Sequence, residues 1–257
     1  MSDAADISED AVLGGRLRLR QPTSGHRAGH DAILLAAATA ARPGDRVVDL
    51  GAGVGTAGLA LARRVDGVAL TLVEREPGLA SLARDNARAN ELQADVAVLD
   101  VAADAAAFAA AGLGSDSVDV VLMNPPFHDA ARHRASPDAT RAAAHMSTAT
   151  TLEIWTQAAR RMLKSGGVLT LIWRADGLGE VLAALTRGFG SLAVQPVHGH
   201  PARPAIRILV RAVKGGRAPT QMLAGVMLNE AAGGPSDEVV RVLEGQGALA
   251  LAGPLNG

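Results

Sequence analysis

An apolar run at residues 118–123 has the pattern of a buried strand and is followed by Asn124, Pro125, Pro126 and Phe127. Two consecutive prolines cannot donate backbone hydrogen bonds, so the strand must end there. The side-chain oxygen of Asn124 and the nearby backbone carbonyls form a group of acceptors, beside the flat ring of Phe127. Such a corner suits a planar group that carries an NH2, because the oxygens accept its hydrogens while the ring stacks on its face. Taken alone, the motif would indicate only a strand that ends at prolines beside a core Phe.

Three earlier predicted strands end in carboxylates, and the first of them is followed by a glycine-rich loop. The ligand-binding candidates are Asp49, Gly51, Gly53, Gly55, Glu74 and Asp100. Glycines allow a tight turn and the close approach of a ligand, and α/β sheets bind ligands outside the carboxyl ends of their strands. Glu74 is placed to accept both hydroxyls of a ribose, and Asp100 to meet an adenine amino group. The pattern therefore predicts a nucleoside site.

The same loop also fits a dinucleotide fingerprint, with glycines at 53, 55 and 58 and Glu74 near the expected spacing. A pyrophosphate, however, needs a helix N-terminus without an anion nearby, whereas Asp49 favours a ligand with an ammonium group. S-adenosylmethionine has an ammonium group, a ribose and an adenine, and it has no phosphate. We therefore predict this cofactor, with an NAD-dependent oxidoreductase as an alternative.

The order of predicted elements indicates an α/β fold. Predicted strands lie at residues 46–50, 68–73, 95–99, 118–123, 168–173, 191–197 and 205–213. Helical patterns separate all of these strands except the last two, which indicates a doubly wound, parallel sheet whose last strand is antiparallel. Before the sheet we expect a frayed tail at 1–10, a half-exposed strand at 13–20 and a helix at 32–41. Between the fourth and fifth strands we expect a loop from 127 to about 147.

Composition limits the remaining classes of protein and of functional site. The 257 residues are 48% hydrophobic and 20% charged, as in a globular protein with one large domain. The absence of Cys excludes disulfides, thiolate catalysis and cysteine-bound metals. The longest apolar run, 32–41, is too short to span a bilayer, and the first ten residues do not resemble a signal peptide. We therefore expect a soluble, cytoplasmic protein without membrane association.

Two further sets of side chains are interpreted as structural. His198 and His200 have the spacing of metal ligands but no evident carboxylate partner, so we predict no metal site. Trp155 and Trp173 lie in helix and strand patterns and are expected in the core.

The net charge of −1 gives no global nucleic-acid signature, but the basic residues are grouped. The three groups are Arg16, Arg18, Arg20 and Arg27; Arg203, Arg207, Arg211, Lys214 and Arg217; and Arg132, Arg134 and Arg141 with His133 and His145. Solvated surface is the usual role of such residues. Because the groups bracket the proposed site, they favour a phosphate-backbone partner. A stacked, unpaired base fits RNA better than duplex DNA.

Together, the sequence 49–55, Glu74, Asp100 and the sequence 124–127 resemble the class I S-adenosylmethionine-dependent methyltransferases of the amino-methylating branch. The antiparallel strand pair resembles that family's sixth and seventh strands, so the resemblance implies a seven-stranded, Rossmann-like sheet over 45–213. It also implies methyl transfer to an exocyclic amine, with Asn124 and the Pro125 carbonyl as acceptors. Phe127 would stack on the base, a contact of about 1–3 kcal/mol.

The segment before the sheet narrows the resemblance. Residues 17–35, with Gly25-His26-Arg27 and Asp31, are similar to the bacterial tRNA adenine-N6 methyltransferases that modify the adenine beside the anticodon of a valine tRNA. In that group the N-terminal segment closes over the cofactor, which implies that Asp31 contacts it directly or through a neighbour. The His128 that follows Phe127 makes this motif similar also to that of the ribosomal RNA guanine-N2 methyltransferases.

We therefore divide the chain into an N-terminal tail and covering segment at 1–44, a methyltransferase domain at 45–213 and a C-terminal extension of unknown role at 214–257. The predicted function is N-methylation of a base in structured RNA, most simply adenine N6 in a tRNA anticodon loop. Guanine N2, a protein glutamine amide and a non-catalytic RNA-binding module remain as alternatives.

Overall fold

The computed structural model describes residues 6–23, 29–126 and 139–254, with the side chains of 139–148 excepted. Within these ranges the elements, in chain order, are β1 (Ile7–Val12), β2 (Leu17–Pro22), α1 (His30–Ala38), β3 (Arg46–Leu50), α2 (Thr56–Arg64), β4 (Ala69–Glu74), α3 (Pro77–Ala89), β5 (Ala94–Val98), α4 (Ala105–Ala110), β6 (Val118–Met123), α5 (Ala139–Met162), β7 (Leu163–Arg174), α6 (Leu178–Leu185), β8 (Phe189–His198), β9 (Ala205–Lys214), β10 (Gln221–Met222), β11 (Val226–Met227) and α7 (Asp237–Leu243).

The main sheet has the order β10-β8-β9-β7-β6-β3-β4-β5, and β11 also pairs with β8. Strands β5, β4, β3, β6 and β7 are parallel, whereas β9 is antiparallel to both β7 and β8. The predicted doubly wound α/β fold with an antiparallel last strand is confirmed. The predicted count of seven strands is too low, because the C-terminal extension adds two two-residue strands alongside β8.

The direction of strand succession reverses between β3 and β6, which is where open α/β sheets bind their ligands. In the register of this pair Leu50 lies beside Met123. The glycine loop after β3 and the Asn-Pro-Pro sequence after β6 therefore start next to each other.

Apolar residues pack on both faces of the sheet. Helices α1, α2, α3 and α7 cover one face, and α4, α5 and α6 cover the other. Helix α1 is apolar over nearly its whole length and is buried from Ile33 to Ala38. It lies between the sheet and α7, so it has almost no solvent-facing side.

The single charged residue in β6, Asp119, lies at the strand end opposite the glycine loop. Its carboxylate accepts hydrogen bonds from the backbone of Arg46 (2.9 Å) and from Nζ of Lys164 (2.6 Å). Partial burial acts to raise the pKa of Asp119, but these bonds outweigh it and hold the pKa below its ordinary value. Asp119 thus has a structural role.

The prediction that residues 1–10 form a frayed tail is wrong for residues 7–10. These residues belong to β1, which pairs with β2 in an antiparallel hairpin. An acidic strand faces a basic one here, with Glu9 beside Arg20 in the register. A turn with positive φ at Gly14 (62°) and Gly15 (85°) joins the two strands. In β2 the leucines are buried and the arginines exposed, which confirms the predicted alternation.

Two other boundaries differ from the prediction. Helix α5 begins at Ala139, inside the stretch predicted to be a loop, because the sequence 139–147 is rich in Ala, the strongest helix former. The C-terminal extension is tied to the domain. The nitrogen of Leu249 donates to the Ala37 carbonyl (2.9 Å), and Leu251 is fully buried. Within the described ranges, no helix has both the length and the apolar character that crossing a membrane requires.

Candidate active site

The glycine loop between β3 and α2 is a sequence of left-handed turns. Gly51, Gly53 and Gly55 have φ values of 76°, 58° and 90°, which side chains with a Cβ rarely adopt. The nitrogens of Gly51 and Ala52 both donate to the carbonyl of Val73 (2.8 and 2.9 Å), which holds the turn against β4. A Cβ on Gly53 would have no atom within 4 Å, so the loop faces open space at that residue.

The carboxylates of Asp49 and Glu74 accept backbone hydrogen bonds at this loop. Asp49 is 3% exposed, and its Oδ2 accepts a hydrogen bond from the nitrogen of Gly58 (2.8 Å). Glu74 is 8% exposed, and its two oxygens accept from the nitrogens of Gly53 (2.8 Å) and Glu76 (2.9 Å). Both predicted carboxylates therefore lie at the loop, where Glu74 accepts from the loop backbone and Asp49 from the first turn of α2.

Burial raises the pKa of Asp49 to about 7, in spite of the hydrogen bond from Gly58, which lowers it. The charge of Glu74 nearby raises it further. A cation bound at this position would favour the ionised carboxylate, because an opposite charge stabilises it. The position is thus suited to an ammonium group.

The third glycine of the dinucleotide-like pattern has a packing role. A Cβ on Gly58 would lie 2.6 Å from Leu72 and 3.1 Å from the Asp49 carboxylate, so α2 packs directly on β4. The nitrogen of Gly58 is in the first turn of α2, where a pyrophosphate would bind. Because the Asp49 carboxylate already occupies that donor, the geometry disfavours a dinucleotide.

Trp155 of α5 supports the loop from the other side. A Cβ on Gly51 would lie 2.2 Å from Cη2 of this indole, so the ring fills the space that a side chain at Gly51 would need. Trp155 is half-buried and packs against the core on the α4–α6 face, as predicted, but its contact with the loop was not predicted. Trp173 is fully buried, which confirms its assignment to the core.

The Asn-Pro-Pro corner follows β6 directly. Asn124 is half-buried, Pro125 is buried and Pro126 is exposed. The Oδ1 atom of Asn124 is buried and has no hydrogen-bond partner among the described residues. A buried acceptor left unpaired costs about 1–3 kcal/mol, so an unpaired oxygen beside the ligand loop is a candidate contact for an N–H of a ligand. Phe127 lies outside the described residues, and its stacking role stays a prediction.

Asp100 follows β5 and is exposed at the edge of the site. Its Oδ1 accepts from the nitrogen of Ala102 (2.8 Å), and its Oδ2 lies 3.9 Å from Nη1 of Arg75. The nitrogen of Leu99 donates to the carbonyl of Glu74 (3.0 Å), so Asp100 stands next to the end of β4. The structure thus brings Asp49, Glu74 and Asp100 to one edge of the sheet, around the glycine loop.

Asp31, at the start of α1, forms an ion pair with Arg207 of β9. Its Oδ2 accepts from Nε of Arg207 at 2.9 Å, and each side chain is 28% exposed. The pair ties the N-terminal segment to the sheet. That Asp31 also contacts a cofactor stays a prediction.

Much of the predicted basic surface is used inside the protein. Arg211 is 4% exposed and donates to the carbonyls of Leu251 (2.6 Å) and Gly253 (2.5 Å), and its burial lowers its pKa. Lys214 donates to the carbonyl of Leu163 (2.6 Å) and pairs with Asp116 (2.8 Å). The prediction that Arg211 faces a phosphate backbone is therefore wrong, because the C-terminal extension covers it, whereas Lys214 is half-buried and held in an ion pair.

The remaining basic residues divide into three kinds. Arg18 and Arg20 are exposed on β2, although Arg18 lies 3.8 Å from Glu9. Arg203 and Arg217 are exposed as well, whereas Arg16 is exposed but donates to the carbonyl of Gly245 (2.7 Å). Outside the described residues lie Gly25, His26, Arg27, His128, Arg132, His133 and Arg134, and the side chains of Arg141 and His145.

One ring nitrogen of His198 is held by the backbone. Its Nδ1 lies 2.8 Å from the backbone oxygen of Arg203. In the part of the chain that the structure describes, no three His, Asp or Glu side chains are grouped as they would be around a metal ion.

Two buried asparagines at the end of α3 were not singled out from the sequence: Asn86 lies in the last turn of the helix, and Asn90 is its C-cap. Each forms a pair of hydrogen bonds with the backbone of β2, and Asn86 donates in addition to the Val54 carbonyl in the glycine loop (3.0 Å). A signal was present, since the two residues are four apart and lie on a helix face that is otherwise alanine.

Comparison with known proteins identifies related chains. A family model described as methyltransferase small domain matches residues 28–196. The ribosomal RNA large subunit methyltransferase G of Streptomyces avermitilis is 37% identical over 128 residues, which are 50% of this chain and 28% of that protein. This chain thus spans little more than a quarter of that relative.

Two other proteins match over more of their length. The tRNA1(Val) (adenine(37)-N6)-methyltransferase of Erwinia tasmaniensis is 28% identical over 186 residues, which are 72% of this chain and 74% of that protein. The crystal structure of Atu636 from Agrobacterium tumefaciens, described as a predicted O-methyltransferase, is 32% identical and superimposes with a TM-score of 0.71. It covers 85% of this chain and 98% of its own.

Proposed function

Since this chain belongs to the methyltransferase small domain family, we propose that it methylates the exocyclic amine of a base in structured RNA, with adenine N6 in a tRNA anticodon loop as the favoured target. The protein is an S-adenosylmethionine-dependent methyltransferase. The open questions are therefore which atom receives the methyl group and on which molecule.

The observation that carries the proposal is the buried Oδ1 of Asn124, which has no hydrogen-bond partner among the described residues, beside the proline-blocked backbone at Pro125. An aromatic NH2 has two hydrogens, and this corner offers two oxygens, the Asn124 amide and the Pro125 carbonyl. A hydroxyl has only one hydrogen to donate, so it would leave one of the two acceptors unmatched. The acceptor set therefore favours an amine over the hydroxyl that the description of the Agrobacterium protein would imply.

The glycine loop, with Asp49, Glu74 and Asp100, would hold the cofactor. Asp49 suits its ammonium group, and Glu74 suits its ribose. The open side of Gly53 leaves room for close approach. When bound, S-adenosylmethionine supplies an electrophilic methyl group.

The residues of this chain contribute orientation. The lone pair of an exocyclic amine is delocalised into the ring, so the nitrogen is a poor nucleophile. Acceptors at Asn124 and Pro125 hold its two hydrogens and return electron density to the nitrogen. Positioning of this kind supplies much of the acceleration in reactions between two bound groups. No residue is needed to remove the proton beforehand, because the amine loses it after transfer.

The relatives support adenine N6 in a tRNA over a base in ribosomal RNA. The match to the tRNA methyltransferase extends over nearly three quarters of both chains, whereas the match to the ribosomal RNA methyltransferase involves 28% of that protein. The higher identity of the second match, 37%, keeps ribosomal RNA as the second candidate target, for which the resemblance at His128 indicates guanine N2. A protein glutamine amide also has an NH2 that these acceptors would fit. The exposed Arg18 and Arg20 offer cationic contacts for a phosphate backbone. A tRNA or ribosomal RNA substrate would place the reaction in the cytoplasm.

The proposal is tested with purified protein, S-adenosylmethionine labelled with deuterium in the methyl group, and total RNA from a strain that lacks this protein. Digestion to nucleosides and mass spectrometry should show labelled N6-methyladenosine. Labelled N2-methylguanosine would select the second candidate. Label in a 2′-O-methylated nucleoside, or in protein alone, would overturn the proposal.

A further inference from the structure

The N-terminal hairpin is joined to α3 by side-chain amides in place of a neighbouring strand. One edge of β2 pairs with β1, and its other edge faces α3. On that second edge the nitrogen and carbonyl of Arg20 bond to Oδ1 (2.8 Å) and Nδ2 (3.0 Å) of Asn86. The nitrogen and carbonyl of Arg18 bond in the same way to Asn90, at 2.9 and 2.6 Å. The asparagines therefore satisfy a strand edge that would otherwise be unpaired.

The two asparagines differ in their remaining contact. The second hydrogen of the Asn86 amide goes to the carbonyl of Val54 in the glycine loop (3.0 Å), whereas that of Asn90 goes to the carbonyl of Asn86 (2.7 Å). Asn86 is fully buried, and its amide uses both hydrogens and its oxygen in these contacts. The Asn86 side chain thus links the hairpin to the loop, whereas Asn90, one turn along, contacts the hairpin and the backbone of its own helix.

We propose that Asn86 is a positioning residue that couples the N-terminal hairpin to the glycine loop, so that cofactor binding and docking of the hairpin stabilise each other. A movement of the loop at Val54 alters the orientation of the Asn86 amide. That amide is in turn the partner of β2, the strand from which the chain continues towards α1 and Asp31. The inference goes beyond the proposed function, since it concerns cofactor binding and does not depend on which base is methylated.

The coupling is measured first in the unchanged protein. Hydrogen exchange of single backbone amides is followed by NMR with and without S-adenosylhomocysteine, a probe that needs no RNA. This product of the cofactor should slow exchange at Arg20, whose nitrogen is bonded to Asn86, more than at Arg18, whose nitrogen is bonded to Asn90. Equal effects at the two amides, or none at Arg20, would overturn the proposal.

A matched pair of variants then separates coupling from stability. N86A and N90A each remove two hydrogen bonds to β2, but only N86A removes the contact with the loop. We expect N86A to raise the Kd for S-adenosylhomocysteine at least about fivefold, the lower end of typical coupling between sites, and N90A to leave it within about twofold. Equal increases in Kd for both variants would mean that Asn86 has a merely structural role.

Discussion

The backbone nitrogen of Gly53 donates a hydrogen bond to the carboxylate of Glu74 at 2.8 Å, across the carboxyl ends of two adjacent strands. The other carboxylate oxygen accepts from the nitrogen of Glu76. The residue that we expect to bind the ribose is therefore also the residue that fixes the loop around it. The geometry of the loop is thus set before a ligand arrives, which lowers the entropic cost of binding.

Replacement of Glu74 by Gln should weaken cofactor binding. The amide puts an NH2 group against one of two backbone donors and removes the charge that attracts the ribose hydroxyls. Loss of a hydrogen bond to a charged group costs about 1.5–3 kcal/mol, so the Kd for S-adenosylhomocysteine should rise at least about tenfold. Isothermal titration calorimetry measures this Kd. The control is E76Q, which removes the same charge two residues away on an exposed side chain that caps α3. An equal Kd for E74Q and the wild type would contradict the assigned role.

The buried carboxyl of Asp49 should make stability depend on pH. Its pKa is about 7 in the folded protein, against an ordinary value of 3.8, because burial disfavours the charge. The folded state therefore binds this proton more tightly than the unfolded chain does. The resulting stabilisation is fully present below about pH 4 and is lost as the pH rises to about 7.

The measurement is the difference in Tm between the wild type and D49N from about pH 5 to pH 8. Asn can still accept the hydrogen bond from Gly58, and all other groups titrate in both proteins. The wild type should lose stability relative to D49N as the pH rises. A difference that stays constant over this range would show that the carboxyl is not perturbed.

The contact between Gly51 and Trp155 should appear as an energetic coupling. G51A places a Cβ in the left-handed region and 2.2 Å from the indole, whereas G53A has the same kind of backbone strain but no atom within 4 Å. The strain costs about 1–2 kcal/mol in each variant, and G51A should lose more because the ring must move. Urea denaturation of G51A, W155A and the double variant should show that the double variant loses less than the sum of the single losses.

The combination of G53A with W155A serves as the comparison and should be additive within about 0.5 kcal/mol. Additivity of G51A with W155A to the same precision would contradict the packing of the indole on Gly51.

Local patterns in the sequence predicted the parts of the site that lie along single strands. The glycine loop, Asp49 and Glu74 could be located because parallel strands bring their carboxyl ends to one edge of the sheet. The side-chain oxygen of Asn124, which has no hydrogen-bond partner among the described residues, agrees with the predicted acceptor corner.

Contacts between distant segments could not be predicted in this way. The group of basic residues between Arg203 and Arg217 indicated a cationic surface, but the C-terminal extension folds back over Arg211, at a separation of 40 residues from Leu251. Likewise, Asn86 meets Arg20 across 66 residues. No local pattern shows which strand edge a buried amide will pair with, so the contact of Asn86 with both hairpin and loop could be seen only in the three-dimensional structure.

The most direct test of the central claim is methyl transfer by N124A. The variant removes the buried acceptor beside the glycine loop and leaves Asp49 and Glu74 in place, so it should bind S-adenosylhomocysteine with the Kd of the wild type. Transfer of label from S-adenosylmethionine to RNA should fall at least about a hundredfold, since misplacement of a reacting group costs that much. N229A, which removes an Asn whose amide bonds to the carbonyl of Gly199 in the C-terminal part, is the control and should transfer at the wild-type rate. Near-full transfer by N124A would contradict the account.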